Sequence, residues 1–260
     1  MNLQTIFDAS SDRLIDQAIS SAVTSITHAW GEGREAQIVL TGGRTGRKIA
    51  QVLDLGLDRA IRNLEKIGNQ SAKSSKKIHI WFSDERFVEL DSPDRTDTTI
   101  INEFKQTLSH LVFHRVLTPS QVDNQSNDSA TLTSALTKLN LATTDYSQQL
   151  STTLSGNRFD CVILSMGEDG HVASCFPGQD DILNSKNSAE AVSNSPKPPS
   201  DRVTITLHQL AQTLAIYIFV LGSEKATPLK AVQDRADSAV VEQLRQNSPV
   251  GQIYLLTDQK

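Results

Sequence analysis

The 260-residue chain has only two cysteines, Cys161 and Cys175. Two thiols build no disulfide framework, and their spacing is not that of a zinc site, so a reducing, cytoplasmic setting is expected. No apolar run approaches the roughly 18 residues of a membrane span. The opening residues, Met1-Asn2-Leu3-Gln4-Thr5-Ile6-Phe7, lack the basic start and apolar core of a secretory leader. Positive charge is also short. The 25 Lys and Arg against 30 Asp and Glu leave a net charge of −5, the wrong sign for a general nucleic-acid binder. Neither a nucleic-acid nor a membrane partner is therefore expected. A small anionic ligand stays open, because a few local cations outweigh a weak overall charge. The P-loop pattern, the G-x-G-x-x-G dinucleotide fingerprint and the G-x-S-x-G nucleophile elbow are all missing. Five of the six histidines (28, 79, 110, 114 and 208) show no ligand spacing around the chain's glycine turn, so no metal is expected.

What is present suits a soluble globular protein: 38% hydrophobic and 21% charged residues. No internal repeat and no linker breaks the chain, and residues 1–260 read as a single domain. Apolar residues at helical spacing run from Leu14 to Ile26, with Ser10 or Ser11 as the cap and Gly31 and Gly33 as the stop. The strand Gln37-Ile38-Val39-Leu40 leads into Thr41-Gly42-Gly43-Arg44-Thr45-Gly46 and then a helix through Ile49, Val52 and Leu53. A polar loop is expected over 68–77, then a strand, Ile78-His79-Ile80-Trp81-Phe82, ending in Ser83-Asp84-Glu85-Arg86. A turn at 91–94, a helix over 97–108, a short strand over 112–117 and a polar loop over 119–129 follow. Leu132, Leu136, Leu139, Tyr146 and Leu150 suggest one or two helices. Cys161-Val162-Ile163-Leu164 reads as a buried strand. Residues 185–200, rich in Ser, Asn, Lys and Pro, read as an exposed, mobile insertion. Strands at 202–206, 214–221 and 253–256 complete the pattern. Strands alternating with helices and stopping at polar, glycine-bearing turns predict an α/β fold: a mainly parallel sheet with helices on both faces.

Four constellations carry chemistry. In Thr41-Gly42-Gly43-Arg44-Thr45-Gly46, glycines after a strand let backbone N–H groups approach an anion, and the following helix N-terminus favours negative charge. Phosphate is the natural guest; a plain tight turn is the alternative. In Phe82-Ser83-Asp84-Glu85-Arg86, acids and an arginine at a strand end can orient hydroxyls and stabilise developing negative charge, or form an ordinary surface cluster. In Met166-Gly167-Glu168-Asp169-Gly170-His171, an imidazole suited to moving protons near neutral pH stands two residues from a carboxylate. Asp169 either orients the ring or shapes the turn, and Glu168 is expected to face solvent. Finally Arg202, leading a strand, and Lys225, after Gly222, can each pin a phosphate dianion. Lys230, Arg235 and Arg245 read as solvated helix charges.

Taken in this order, the motifs resemble the 6-phosphogluconolactonase family. The matching residues are Leu40-Thr41-Gly42-Gly43-Arg44-Thr45, Phe82-Ser83-Asp84-Glu85-Arg86-Phe87-Val88, the run from Met166 through Gly178, Arg202-Val203-Thr204 and Gly222-Ser223-Glu224-Lys225. The resemblance implies the Rossmann-like fold shared with sugar-phosphate isomerases and glucosamine-6-phosphate deaminases. It implies hydrolysis of 6-phospho-D-glucono-1,5-lactone in the oxidative pentose phosphate pathway, with no metal or organic cofactor. It also implies His171 as general base, with Asp169 and Arg86 as further catalytic residues. Asp84 and Arg86 would meet the sugar end or the oxyanion. Gly42, Gly43, Arg44, Thr45, Gly170, Arg202 and Lys225 would bind the substrate, chiefly its phosphate. A monomer or small homo-oligomer acting on a small phosphosugar is expected. The chain departs from the family pattern at Gly46 (a usual proline), which should loosen the first loop. It departs also at Ser165 (glycine), Glu168 (proline) and Val172 (threonine), and at Asp94-Arg95-Thr96-Asp97-Thr98, where Ser-Asn is common. Deaminases of the same fold follow their Asp-Gly-His with Asn-Glu-Pro and carry Asp-Glu-Tyr at the second strand. Ser174-Cys175-Phe176-Pro177 and Asp84-Glu85-Arg86 favour the lactonase. A non-catalytic phosphosugar sensor is the rival from another class.

Overall fold

Strands that are apolar along their whole length demand cover on both faces, and they receive it. In the computed structural model, residues 2–66, 77–125, 134–247 and 251–259 are described. Seven strands form one parallel sheet: β1 (Asn2–Phe7), β2 (Ala36–Leu40), β3 (Ile78–Phe82), β5 (Leu111–His114), β6 (Cys161–Ser165), β9 (Ala215–Val220) and β10 (Gln252–Thr257). Their spatial order is β1-β10-β9-β6-β2-β3-β5. A second, antiparallel sheet joins β4 (Asp84–Arg86), β8 (Arg202–Ile205) and β7 (Ala189–Val192).

Alternate strand residues serve two cores. Ile38, Leu40, Ile80, Phe82, Ile163 and Phe219 pack against helices α1 (Ser11–Gly31) and α2 (Gly43–Lys66). Val39, Trp81, Val162, Leu164 and Ile218 face α5 (Ala135–Leu154), part of the small sheet and the apolar sides of α8 (Ala226–Gln233) and α9 (Val240–Gln246). The five β2 residues are all buried, as a central strand covered on both faces should be. Among the described residues no helix is long and apolar enough to cross a membrane.

The chain runs outward from β2 through β3 to β5, then returns to place β6 on the other side of β2. That reversal opens a crevice at the carboxyl ends of β2 and β6, where open α/β sheets bind ligands. Polar groups tie the neighbouring strands. Asp160 accepts from the Gln37 N–H (2.8 Å) and from Arg34 (3.0 and 2.6 Å), joining the starts of β2 and β6. The buried Tyr146 hydroxyl donates to the Phe82 carbonyl (2.8 Å) and accepts from the Phe82 N–H (3.1 Å), fixing the end of β3.

Several expectations need correction. The polar stretch from residue 119 begins with α4 (Pro119–Gln125), which buries Val122. The helix expected over 97–108 is a short α3 (Thr96–Ile101) followed by turns, and the strand expected over 112–117 is β5. The insertion over 185–200 contains β7, which pairs with β8 and buries Ala189 and Val192. The polar residues Asp84, Glu85 and Arg86, read as a turn, form β4. Residues 2–7, which carry no strand pattern, form the edge strand β1. One helix, α5, stands where one or two were expected. The loop expected over 68–77 lies outside the described residues apart from Lys77, as do Leu132 and residues 126–129.

Candidate active site

Four strand ends meet at the carboxyl edge of the large sheet. The turn after β6 is built for close approach. The Gly167 N–H donates to the His171 carbonyl (2.8 Å) and the Gly170 N–H to the Gly167 carbonyl (3.0 Å). The loop thus closes on itself and presents His171 at its exit. Asp169 and Nδ1 of His171 form a tight hydrogen bond. A Cβ on Gly167 would stand 2.1 Å from Cε1 and 2.2 Å from Nδ1 of that ring. Only glycine leaves room for the imidazole there. The ring is tilted against Phe176, with centroids 4.5 Å apart. Burial works to raise the Asp169 carboxyl, but the bond to His171 and the charges of His171 and Lys197 hold it below its ordinary value. Glu168 is exposed, as expected.

After β3, Asp84 faces this turn. One of its oxygens accepts from Ser83 Oγ (2.9 Å), the other from Ser174 Oγ (2.6 Å). Arg202 pairs with Asp84 at 3.9 Å, lies over the Phe176 ring, and donates to the carbonyls of Pro199 (3.0 Å) and Lys197 (2.8 Å). At 3% exposure its guanidinium is a brace inside the site, and burial lowers its pKa against the raising charge of Asp84. Arg86 is half-buried and donates to the Asp94 carbonyl (2.9 Å).

Glu85 lies between those two residues and points the other way, into the protein. Its carboxylate accepts from the N–H groups of Arg86 (2.8 Å), Thr96 (3.0 Å) and Asp97 (2.6 Å) and from Thr96 Oγ1 (2.9 Å). Burial, and behind it the Asp97 carboxylate, pushes the Glu85 carboxyl up to about 7. Asp97 is buried too, but Arg115 and Arg95 outweigh burial and hold it below the ordinary range.

After β2, Thr41 is buried, Gly43 and Arg44 are exposed at the start of α2, and Gly42 and Thr45 are half-buried. Gly46, expected to loosen this loop, is closely surrounded. It is buried, and a Cβ there would lie 2.1 Å from the Thr41 carbonyl oxygen. After β9, the Gly222 N–H is held by the Asp258 carboxylate (3.1 and 3.3 Å) and its carbonyl by Gln259. Lys225 follows, half-buried; burial lowers its pKa, while Glu224, Asp258 and Glu168 raise it.

The expected residues of the glycine loop, the β6 turn and Lys225 therefore follow adjacent strands of the large sheet, while Asp84, Arg86 and Arg202 stand on the small sheet. Three roles were not read from sequence. Ser174 bridges to Asp84, and Glu85 is turned inward. Lys197 places Nζ 3.7 Å from Asp169. Lys197 falls in the stretch read as an insertion, although Pro196, Pro198 and Pro199 around it were a sign of stiffness. Among the described residues no group of three or more His, Cys, Asp or Glu could hold a metal ion.

The Asp169–His171 pair, with Lys197 beside it, thus lies at the strand ends of a doubly wound sheet, where enzymes of this architecture bind small ligands. The chain belongs to the family described as glucosamine-6-phosphate isomerases/6-phosphogluconolactonase, whose sequence profile matches residues 9–254. Within it, the chain is 30% identical to the 6-phosphogluconolactonase of Mycobacterium tuberculosis, over 89% of this chain and 86% of that protein. It is 29% identical to that of Mycobacterium leprae over the same shares. A solved structure of 6-phosphogluconolactonase from Trypanosoma cruzi matches 99% of this chain and 96% of its own, with a TM-score of 0.76 and 19% identity. At that identity the likeness speaks for the fold.

Proposed function

We propose that the chain, working as one domain, hydrolyses 6-phospho-D-glucono-1,5-lactone to 6-phospho-D-gluconate in the cytoplasm, with His171 as general base. Family membership supports the reaction. The observation that carries the mechanism is the Asp169–His171 pair at the exit of the β6 turn. With its Nδ1–H donated to Asp169, the neutral ring keeps Nε2 as the free acceptor. Nε2 takes a proton from water as the oxygen attacks C1 of the lactone. The tetrahedral oxyanion then collapses, the C1–O5 bond breaks, and the imidazolium returns its proton to O5. The new carboxylic acid loses its own proton to solvent.

Arg86 and Asp84 serve the sugar end and the oxyanion. The 42–45 loop and Lys225 hold the phosphate, and Lys197 adds a cation beside Asp169. Arg202 acts from behind, holding Asp84 and the 197–199 segment. The order Asp-Glu-Arg after β3 and Ser-Cys-Phe-Pro after His171-Val172-Ala173 favours the lactonase over the deaminase.

The test is to generate the lactone from glucose 6-phosphate and compare its hydrolysis with the spontaneous rate. His171→Ala should lower kcat by about 10²–10⁴-fold in a folded protein. Near-normal turnover in that variant removes His171 from the mechanism. Ammonia release from glucosamine 6-phosphate would favour the deaminase, and binding without turnover the sensor.

A further inference from the structure

We infer that Glu85 is a positioning residue that couples the Asp84/Arg86 strand to the glycine loop after β2, acting through Thr96. The inference rests on the phosphosugar reading of that loop. Its basis is a continuous chain of short contacts. From β4, the Glu85 carboxylate takes the first two N–H groups of α3 and the Thr96 hydroxyl. These are orphan donors at a helix start, so one carboxylate sets where α3 begins.

Helix α3 in turn lies close against the glycine loop at two points. A Cβ on Gly42 would stand 3.0 Å from Cβ and Cγ2 of Thr96, and one on Gly46 would stand 3.1 Å from Cδ1 of Ile100. The loop therefore follows α3, and α3 follows Glu85. Glu85 also accepts the Arg86 N–H, so the same carboxylate fixes the backbone that carries Arg86. Two arms of the site that meet different parts of a sugar phosphate share one internal anchor. The Glu85 side chain is 0% exposed, so it acts only through the groups it holds. His171 and Asp169 stand on a separate strand end with their own internal hydrogen bonds.

An anchor shared by the glycine loop and Arg86 predicts that a Glu85 variant changes both KM and kcat, whereas a Thr96 variant, which reaches the loop alone, changes KM with kcat within about twofold. Glu85→Gln replaces one accepting oxygen with an amide that faces donors. It should raise KM for the lactone, and Kd for 6-phosphogluconate measured by calorimetry, by about tenfold, the loss expected for one charge-assisted bond. Its kcat should fall as well, because Glu85 holds the backbone of Arg86, which serves the oxyanion. Thr96→Val keeps the shape against Gly42 but removes the donated hydroxyl, and should raise KM similarly. Thr96→Ser keeps the hydroxyl and should largely preserve it. Because both residues act through one contact, Glu85→Gln with Thr96→Val should raise KM scarcely more than either alone.

Unchanged KM and Kd in a folded Glu85→Gln protein would overturn the inference, as would fully additive losses, or a fall in kcat at constant KM. If Glu85→Gln does not fold, Thr96→Val carries the test, and an unchanged KM there overturns it equally. Hydrolysis by the unmodified chain tests the parent reading separately. A chain that binds 6-phosphogluconate without hydrolysing the lactone still reports Glu85 through Kd. A chain that does neither overturns both.

Discussion

Gly167 is the position where one methyl group tests the proposed mechanism. Its φ lies outside the left-handed region, so alanine is compatible with the backbone. The added Cβ, however, would stand 2.1 Å from Cε1 and 2.2 Å from Nδ1 of His171, and 2.8 Å from Oδ1 of Asp169. Ordinary heavy-atom contact begins near ~3.5 Å, so the imidazole must retreat by more than about 1 Å. The His171 side chain is 15% exposed and Asp169 36%, which lets the pair swing toward solvent instead of straining the core. Stability should therefore change little. A misplacement of about 1 Å at the reacting group costs on the order of 10²-fold in rate, or roughly 2.7 kcal/mol of transition-state stabilisation. Gly167→Ala should thus lower kcat for the lactone by about 10²-fold, with 6-phosphogluconate affinity and Tm close to those of the unmodified protein. The measurements are steady-state kinetics, calorimetric binding and a thermal melt. A kcat within about threefold of normal would refute the reasoning, and so would a loss confined to binding.

Two further outcomes follow from buried contacts. Gly46→Pro should destabilise the chain by about 3 kcal/mol or more. The new Cβ would meet the Thr41 carbonyl at 2.1 Å and the Gly46 N–H bond to Gly42 (3.2 Å) would be lost; unchanged urea denaturation would contradict this packing. Asp54 accepts from the N–H groups of Lys105 (2.8 Å), Gln106 (2.9 Å) and Thr107 (3.0 Å) and from Thr107 Oγ1 (2.6 Å). Burial raises its carboxyl, but these donors hold it below its ordinary 3.8. Its stabilisation is thus complete above that ordinary value and fades as pH falls through the lowered one. Asp54→Asn should cost about 1–3 kcal/mol at neutral pH and flatten the acid side of the stability profile, both read from denaturation across pH.

The sequence was most legible where one residue's chemistry decides its surroundings. Runs such as Ile38-Val39-Leu40 and Val162-Ile163-Leu164 can only be buried strands, and the turns after them carry the candidate site. The small sheet was not legible. Asp84-Glu85-Arg86 and Ala189-Glu190-Ala191-Val192 have no strand pattern of their own, and they are strands because β8 lies between them. Polar partners were hidden for the same reason. Ser174 meets Asp84 across 90 positions of chain, and nothing in a serine's identity says which carboxylate it will find. Lys197 was masked by composition, since a Ser-, Asn- and Pro-rich stretch reads as solvent-exposed whatever its middle residue touches.

The edge strand β1 has a consequence for synthesis. Among the described residues it pairs with β10 alone, each residue meeting a partner about 250 positions later. At ordinary ribosomal rates of about 5–20 residues per second, β1 waits on the order of ten seconds or more for that partner. Its outer residues, among them Gln4 and Thr5, are largely exposed and polar, which suits a strand that must stay unpaired without aggregating. Asp258, which holds Gly222 ahead of Lys225, emerges with β10. The loop carrying that lysine is thus locked in place only once Asp258, 36 positions beyond Gly222, has been made.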